Sequence, residues 1–272
     1  MVLGIIAEYN PFHNGHLYHI LKSKSISKDD YVVAIISGNF SQRGEPSLID
    51  KWVKAEMALS CGVDLVIELP TIYSISSAEN FASGAIKILD SLGIVDFVAF
   101  GSECSDISIL QQVTDVLANE PPEYKTLLSH ELDKGVSFPK ARERALMMYL
   151  NDVRRFANVL SSSNNILGIE YLKALKRQKS IIQPITIKRE GNNYNDNTIP
   201  TDSQFASATA LRKLCATHHS DILQSFMPEA SYNILNNAME NGNIVKDISD
   251  FDEIIIYTLR KMSTDEIANL PD

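Results

Sequence analysis

Val2-Leu3-Gly4-Ile5-Ile6-Ala7-Glu8-Tyr9-Asn10-Pro11-Phe12-His13-Asn14-Gly15-His16-Leu17-Tyr18-His19-Ile20 is the stretch whose reading decides the fold. Val2–Ala7 is an unbroken apolar run of strand length. A polar turn follows, and a helix is expected from about Gly15 to Ser25. The same alternation continues outward. Tyr31–Ile36 reads as a second strand, and Asp50 caps a helix running to Cys61 with Gly62 as its stop. Leu65–Leu69 is a third strand ended by Pro70. Ser76-Ser77-Ala78-Glu79 fits a capping box opening a helix that ends at Gly93, and Phe97–Phe100 is a fourth strand. Near-continuous apolar strands alternating with amphipathic helices predict an α/β fold, a Rossmann-like parallel sheet covered on both faces. Residues 106–179 read as mostly helical, and Ile181–Lys188 as one more strand returning to the sheet. Gly191–Asp202 is a polar loop, and the pattern is helical again from Ser207. The expected division is a nucleotide-binding unit at 1–190 and a mostly helical C-terminal part at 191–272.

The chain has 272 residues, 44% apolar and 22% charged, enough to bury a sizeable core. No apolar run approaches the ~18–20 residues that span a bilayer, and no basic-then-apolar leader pattern is visible. Neither a membrane partner nor a secretory route is therefore expected. The three cysteines, Cys61, Cys104 and Cys215, are scattered and form no zinc-ligand spacing. A reduced, cytoplasmic chain is the reading. At a net charge of −9 the chain is a poor generic binder of nucleic acid, so an RNA partner needs a local basic patch. Two groups offer one: Lys140, Arg142, Arg144, Arg154 and Arg155, and then Lys173, Lys176, Arg177 and Lys179. Such runs more commonly mark solvated helix faces.

The turn after the first strand carries the chemistry. Ligands of open parallel sheets bind at the carboxyl ends of strands. There this chain places H-x-G-H, His13 to His16, at the start of a helix. Three-residue spacing sets both imidazoles on one helix face. Gly15 leaves room for a ligand to approach the backbone, and the helix N-terminus adds unpaired N–H groups and partial positive charge. The result is an anion cradle suited to a triphosphate, with imidazole donors for a charged phosphorus centre. A histidine pair at this spacing also occurs on solvated faces and in metal sites. Here no third ligand stands at a supporting spacing, so no protein-held metal is expected. His19, one turn beyond His16, is a further candidate contact.

Longer motifs narrow the reading. They are the string from Gly4 to His16, Ser37-Gly-Asn-Phe-Ser-Gln-Arg-Gly-Glu-Pro46, Asp64-Leu-Val-Ile-Glu-Leu-Pro70, Phe100-Gly-Ser-Glu103, Asn164-Asn-Ile-Leu-Gly168 and Ile187-Lys-Arg-Glu190. Together they resemble the tRNA(Met) cytidine acetate ligase family of bacteria, within the HxGH nucleotidyltransferases related to HIGH-motif aminoacyl-tRNA synthetases. The resemblance implies ATP-dependent activation of acetate as acetyl-adenylate. It further implies acetylation of N4 of the wobble cytidine of elongator tRNA(Met). Family members are usually longer, with a further C-terminal helical region.

The resemblance also implies roles. Ala7–Ile20 wraps the ATP, with His13 and His16 stabilising charge on the phosphate oxygens and Mg²⁺ screening the β- and γ-phosphates. Gly101 ends the fourth strand where a Cβ would crowd base or ribose; otherwise a glycine there marks a turn. Asn164 contacts nucleotide, with Asn165 as the competing candidate; by itself an asparagine there caps the following helix. Ser163 stands where relatives are expected to carry proline. Arg189, at a strand's carboxyl end, clamps a phosphate. Ser207, Thr209 and Arg212 resemble the superfamily's second signature, which Ser207 also satisfies as an ordinary cap. The Ser37–Pro46 loop, with Asn39, Arg43 and Glu45, is placed to close over the acyl substrate or receive the cytidine. H-x-G-H alone equally suits a small-molecule nucleotidyltransferase moving AMP or CMP onto a metabolite. Acetate-dependent pyrophosphate exchange separates the two. A non-catalytic ATP- or RNA-binding module has no need of both histidines.

Overall fold

The computed structural model describes residues 1–28, 30–157, 159–188, 205–216, 220–245 and 247–270. Its strands are β1 (Val2–Ala7), β2 (Tyr31–Ser37), β3 (Leu65–Leu69), β4 (Phe97–Ser102) and β5 (Gln183–Lys188). They form one sheet in the order β3-β2-β1-β4-β5, and every pairing in it is parallel. The chain leaves β1 toward β2 and later returns on the other side through β4. The order therefore reverses at β1/β4, and their carboxyl ends border the crevice that such a reversal creates.

The helices up to the last strand are α1 (Asn14–Ser27), α2 (Lys51–Ser60), α3 (Thr71–Ser74), α4 (Ala78–Ser91), α5 (Ile107–Asn119), α6 (Pro122–Asp133), α7 (Phe138–Tyr149), α8 (Val153–Phe156) and α9 (Ser163–Gln178). After it come α10 (Ala208–Ala216), α11 (Ser220–Ser225), α12 (Glu229–Glu240), α13 (Asp252–Lys261) and α14 (Thr264–Ala268). None of the described helices is long and apolar enough to cross a membrane.

The continuous apolar strands are explained by cover on both faces. Along β2, Val32, Ala34 and Ile36 join one buried cluster and Val33 and Ile35 the other. The first cluster adds Leu3 and Ile5 of β1, Ile20 of α1, Met57 of α2, Leu211 of α10 and Leu235 of α12. The second adds Val98 and Phe100 of β4, with Leu89 of α4, Val113 of α5 and Leu172 of α9. Helices from beyond residue 205 thus pack on the same sheet face as α1 and α2.

Local signals were mostly placed as expected. Asp50 caps α2 by accepting from Trp52 N–H at 2.8 Å and Val53 N–H at 2.9 Å. The expected capping box is displaced: Ser77, not Ser76, caps α4, accepting from Asn80 N–H at 3.3 Å. Glu79 is drawn off instead by Lys173 and Arg177 of α9. α1 starts one residue earlier than expected, at Asn14, and runs on to Ser27; β4 extends to Ser102, and β5 starts at Gln183, beyond the 91% exposed Ile181. Arg189 and the Gly191–Asp202 loop lie outside the described residues.

Many residues of the two basic groups are paired with carboxylates, mostly at the surface. Arg142 and Lys173 pair with Glu170 at 4.0 and 2.7 Å, Arg144 with Glu131 at 3.4 Å and Lys176 with Asp115 at 2.7 Å. Lys140 pairs with Glu143, and Arg177 with Glu79. Six of these nine cations thus have a carboxylate partner, two of them within their own helix.

His19 of α1 lies against the backbone of Phe100, and its Nε2 is buried without a hydrogen-bond partner. Burial pushes its pKa down to about 4, with the Phe100 backbone acting in the opposite sense. The unfolded ring protonates near pH 6.5, so between pH 6.5 and 4 the unfolded chain binds more protons and stability falls as pH falls. From pH 7 to pH 5 this group alone removes about 2 kcal/mol. Urea denaturation at both pH values should show the parent losing about that much more than His19→Gln. Equal losses would mean the ring is not held neutral.

Candidate active site

His13 is the N-cap of α1, and its Nδ1 accepts from Gly15 N–H at 3.0 Å. In return His16 Nδ1 accepts from His13 N–H at 3.2 Å. Two imidazoles thus form a reciprocal capping box, a role usually filled by Ser/Thr and Glu/Gln. The rings stack at 3.8 Å between centroids and 26° between planes. Because each Nδ1 accepts, the neutral rings carry their protons on Nε2; this hydrogen-bond pattern assigns two N–H donors to one stack. A Cβ on Gly15 would lie 2.9 Å from His13 Cε1. The space that the glycine leaves is filled by the capping ring, where the sequence suggested ligand approach.

The preceding turn is held from several directions. Tyr9 adopts a left-handed backbone, φ 47°, and turns its ring inward to meet His16 edge-on at 4.9 Å and Phe12 at 4.8 Å. Asn10 Oδ1 accepts from Leu48 N–H at 2.8 Å, and its carbonyl accepts from Arg212 of α10 at 3.0 Å. Thr209 Oγ1 accepts from the same guanidinium at 3.1 Å, and Ser207 Oγ caps α10 through Ala210 N–H at 3.0 Å. These three second-signature candidates are engaged in holding the turn and the helix start. Their neighbours Ala206 and Ala208 reach the cavity described next.

A cavity of about 410 Å³ lies over the carboxyl ends of β1, β4 and β5, within the ~300–1,000 Å³ of small-ligand sites. Ala7, Glu8, Tyr9, Asn10, His13, Gly15, His16, Tyr18 and His19 line it, with Gly101 and Asn164. The remainder of the proposed wrapping segment faces elsewhere. Phe12 and Ile20 are buried in the sheet-facing core, and Pro11 is buried beside them. Leu17 packs against the same cluster, and Asn14 Nδ2 donates to Ser225 O at 3.1 Å. Helical periodicity and the inward turn carry these residues away from the crevice.

Gly101 lies inside β4, so it marks no turn. A Cβ built on it meets no protein atom within 4 Å, leaving that space to whatever fills the cavity. Glu103 gives the two asparagines different surroundings. Its carboxylate accepts from Asn165 N–H at 2.9 Å and Asn164 N–H at 3.3 Å, capping α9 from outside the helix. Asn165 is buried and accepts through Oδ1 from Glu103 and Cys104 N–H at 2.9 and 3.2 Å. Asn164 donates to Glu103 at 2.7 Å and lines the cavity. The helix N-cap is Ser162, so neither asparagine has the capping role expected of it.

From the Ser37–Pro46 loop, Gln42 and Arg43 line the cavity. Asn39 does not: its Oδ1 accepts from Lys51 N–H at 2.9 Å, fixing the start of α2. Lining residues that the sequence did not single out include Lys188, Tyr171 and Phe205. Lys188 precedes Arg189 by one position. Only strand alternation could have favoured it. Phe205 packs edge-on against Tyr18 at 5.5 Å, a contact between distant parts of the chain that no local pattern announces. Among the described residues, no group of three or more His, Cys, Asp or Glu could hold a metal ion.

The model of the HIGH Nucleotidyl Transferase family matches residues 1–272. A protein of Caldanaerobacter subterraneus subsp. tengcongensis named tRNA(Met) cytidine acetate ligase is 51% identical over 258 residues, covering 95% of this chain and 64% of that one. A protein of the same name from Acetivibrio thermocellus is 49% identical over 272 residues, covering 98% and 65%. This chain therefore spans just under two thirds of the length of these relatives. Thermotoga maritima TmcAL in its apo form superposes with a TM-score of 0.90 at 41% identity, over 97% of this chain and 63% of that one. The same protein bound with alpha-thio ATP gives 0.81 at 43% identity, over 89% and 57%. On this similarity along its full length, the chain belongs to the HIGH nucleotidyl transferase family, among the tRNA(Met) cytidine acetate ligases.

Proposed function

We propose that this chain activates acetate with ATP and transfers the acetyl group to N4 of the wobble cytidine of elongator tRNA(Met), in the cytoplasm. The observation that carries the first step is the stacked imidazole pair at the head of α1, its Nε2–H donors at the cavity over β1 and β4. Relatives named for this activity and the Thermotoga maritima structure bound with alpha-thio ATP support the reading. In it, residues 1–190 bind the nucleotide, and the helical 191–272 part contributes the α10 signature.

The triphosphate lies over the N-terminus of α1. A carboxylate oxygen of acetate attacks the α-phosphorus, and the bond to the bridging oxygen of the leaving pyrophosphate breaks. His13 and His16 donate to the phosphate oxygens as charge grows there, without a covalent enzyme intermediate. Lys188 adds positive charge at the mouth of β5, and the phosphate contact that the resemblance gives Arg189 belongs to the same reading. Gly101 and Asn164 border the nucleoside. Arg43 meets the acetate carboxylate beside Glu8. Mg²⁺ supplies charge neutralisation on the β- and γ-phosphates. Glu8 is the single carboxylate among the described lining residues, which suits a cation carried chiefly by phosphate oxygens.

The direct test is exchange of labelled pyrophosphate into ATP. Exchange that requires acetate supports the ligase, and exchange that requires a phosphorylated metabolite refutes it. His16→Ala should lower acetate-dependent exchange by about 100-fold or more, the equivalent of roughly 3 kcal/mol of lost transition-state donation. Gly101→Val should leave thermal stability intact and weaken ATP binding by about tenfold or more, because its methyls enter open space. Unchanged affinity in calorimetry would remove the nucleoside from β4. Asn165→Ala should cost about 1 kcal/mol of stability by removing the acceptor of two partly buried N–H donors. Asn164→Ala should instead act mainly on ATP affinity, and the reverse pattern would reassign the pair.

A further inference from the structure

Lys54 of α2 is fully buried, with 0% exposure. Its Nζ donates to Ser37 O at 2.8 Å and Gly38 O at 2.9 Å, and lies 3.2 Å from Ser37 Oγ and 3.3 Å from Ser47 Oγ. Ser37 and Gly38 are where the chain leaves β2, and Ser47 is where the loop returns. One ammonium therefore joins both feet of the loop. Burial pushes its pKa down to about 8, opposed by Glu8 and Glu68, which leaves the group mostly charged at neutral pH.

Between the feet the loop is braced by itself. Phe40 and Pro46 form an antiparallel bridge, Ser41 N–H donates to Glu45 O at 2.8 Å and Ser47 N–H to Asn39 O at 2.8 Å. The far end is fastened to the site: Gln42 N–H donates to Glu8 at 2.8 Å, and its side chain reaches Ser76 O at 3.4 Å. Gln42 and Arg43 then form one wall of the cavity. A buried ammonium is costly unless every donor is matched, and an apolar residue of similar volume would strand the carbonyls it satisfies. The loop is thus held at its feet by Lys54, along its course by Asn39 on Lys51 N–H and by Ser74 on Phe40 O, and at its tip by Glu8 and Ser76.

We propose that Lys54 is a positioning residue, which holds the Ser37–Ser47 loop so that Gln42 and Arg43 wall the acyl end of the cavity. This rests on the acetate-ligase reading for the identity of the acyl substrate, and on geometry alone for the clamp. The test compares the parent with Lys54→Met, Lys54→Arg and Ser47→Ala. In Lys54→Met the KM for acetate should rise about tenfold or more, while the Kd for ATP measured without acetate stays within about twofold. Trypsin under native conditions should cut after the exposed Arg43 about tenfold faster than in the parent. Lys54→Arg should bring both values part of the way back toward the parent, since it keeps the charge and donors on a larger, planar head. Ser47→Ala should move both in the same direction by about threefold, and it decides the matter if Lys54→Met does not fold. Unchanged acetate KM and Arg43 cleavage in the folded variants overturn the proposal. So does equal weakening of ATP binding, which marks a general packing role. A parent with no acetate-dependent exchange overturns the ligase reading instead, and the cleavage comparison then judges the clamp by itself.

Discussion

The cap that His13 and His16 make for each other sets the geometry on which the site depends. A helix start leaves backbone N–H groups unpaired, and here two of them, Gly15 and His13, are met by Nδ1 atoms. The same contacts settle which nitrogen carries the proton, so structural and chemical roles use opposite edges of each ring. Serine or aspartate in these positions would cap the helix as well and leave no Nε2 donor. The glycine between them admits the ring of His13 at a distance that a Cβ would not. Each letter of H-x-G-H thus serves the helix end first, and the donor pair follows from it.

Everything around this cap is immobilised by polar groups that cross between elements. Asn10 ties the turn to Leu48 and, through Arg212, to α10. Glu103 and Asn165 exchange backbone contacts between β4 and the first turn of α9. Lys54 does the equivalent for the loop after β2. Such contacts contribute modestly when made and cost much when half broken, so they specify one arrangement more than they add net stability. The walls of the cavity consequently come from segments far apart in the chain, each held by a different polar contact.

The strands and their order of alternation with helices were legible because a parallel sheet covered on both faces needs unbroken apolar runs. H-x-G-H, Gly101 and Asn164 were legible as cavity residues because they sit at strand ends or helix starts, where local pattern and ligand geometry coincide. Less was legible where two local readings competed. The capping box was read from Ser76, whereas Ser77 caps α4 and Glu79 pairs with Lys173 and Arg177 of α9. Phe12, Leu17 and Ile20 belong to the wrapping segment by position and to the core by periodicity.

The sequence by itself determined the α/β class, the crevice at the end of the first strand and the pair of imidazoles within it, since these follow from periodicities of two to four residues. Only the tertiary structure decided that Asn165 is a strut and Asn164 a lining residue, that Asn39 serves α2 while Gln42 and Arg43 reach the cavity, and that Lys54 is spent on internal partners while many basic residues pair with carboxylates of their own or adjacent helices. Those outcomes depend on which distant group arrives to pair with a side chain. Charge and hydrogen-bonding capacity are local properties, whereas their satisfaction inside a low-dielectric interior is a property of the folded whole.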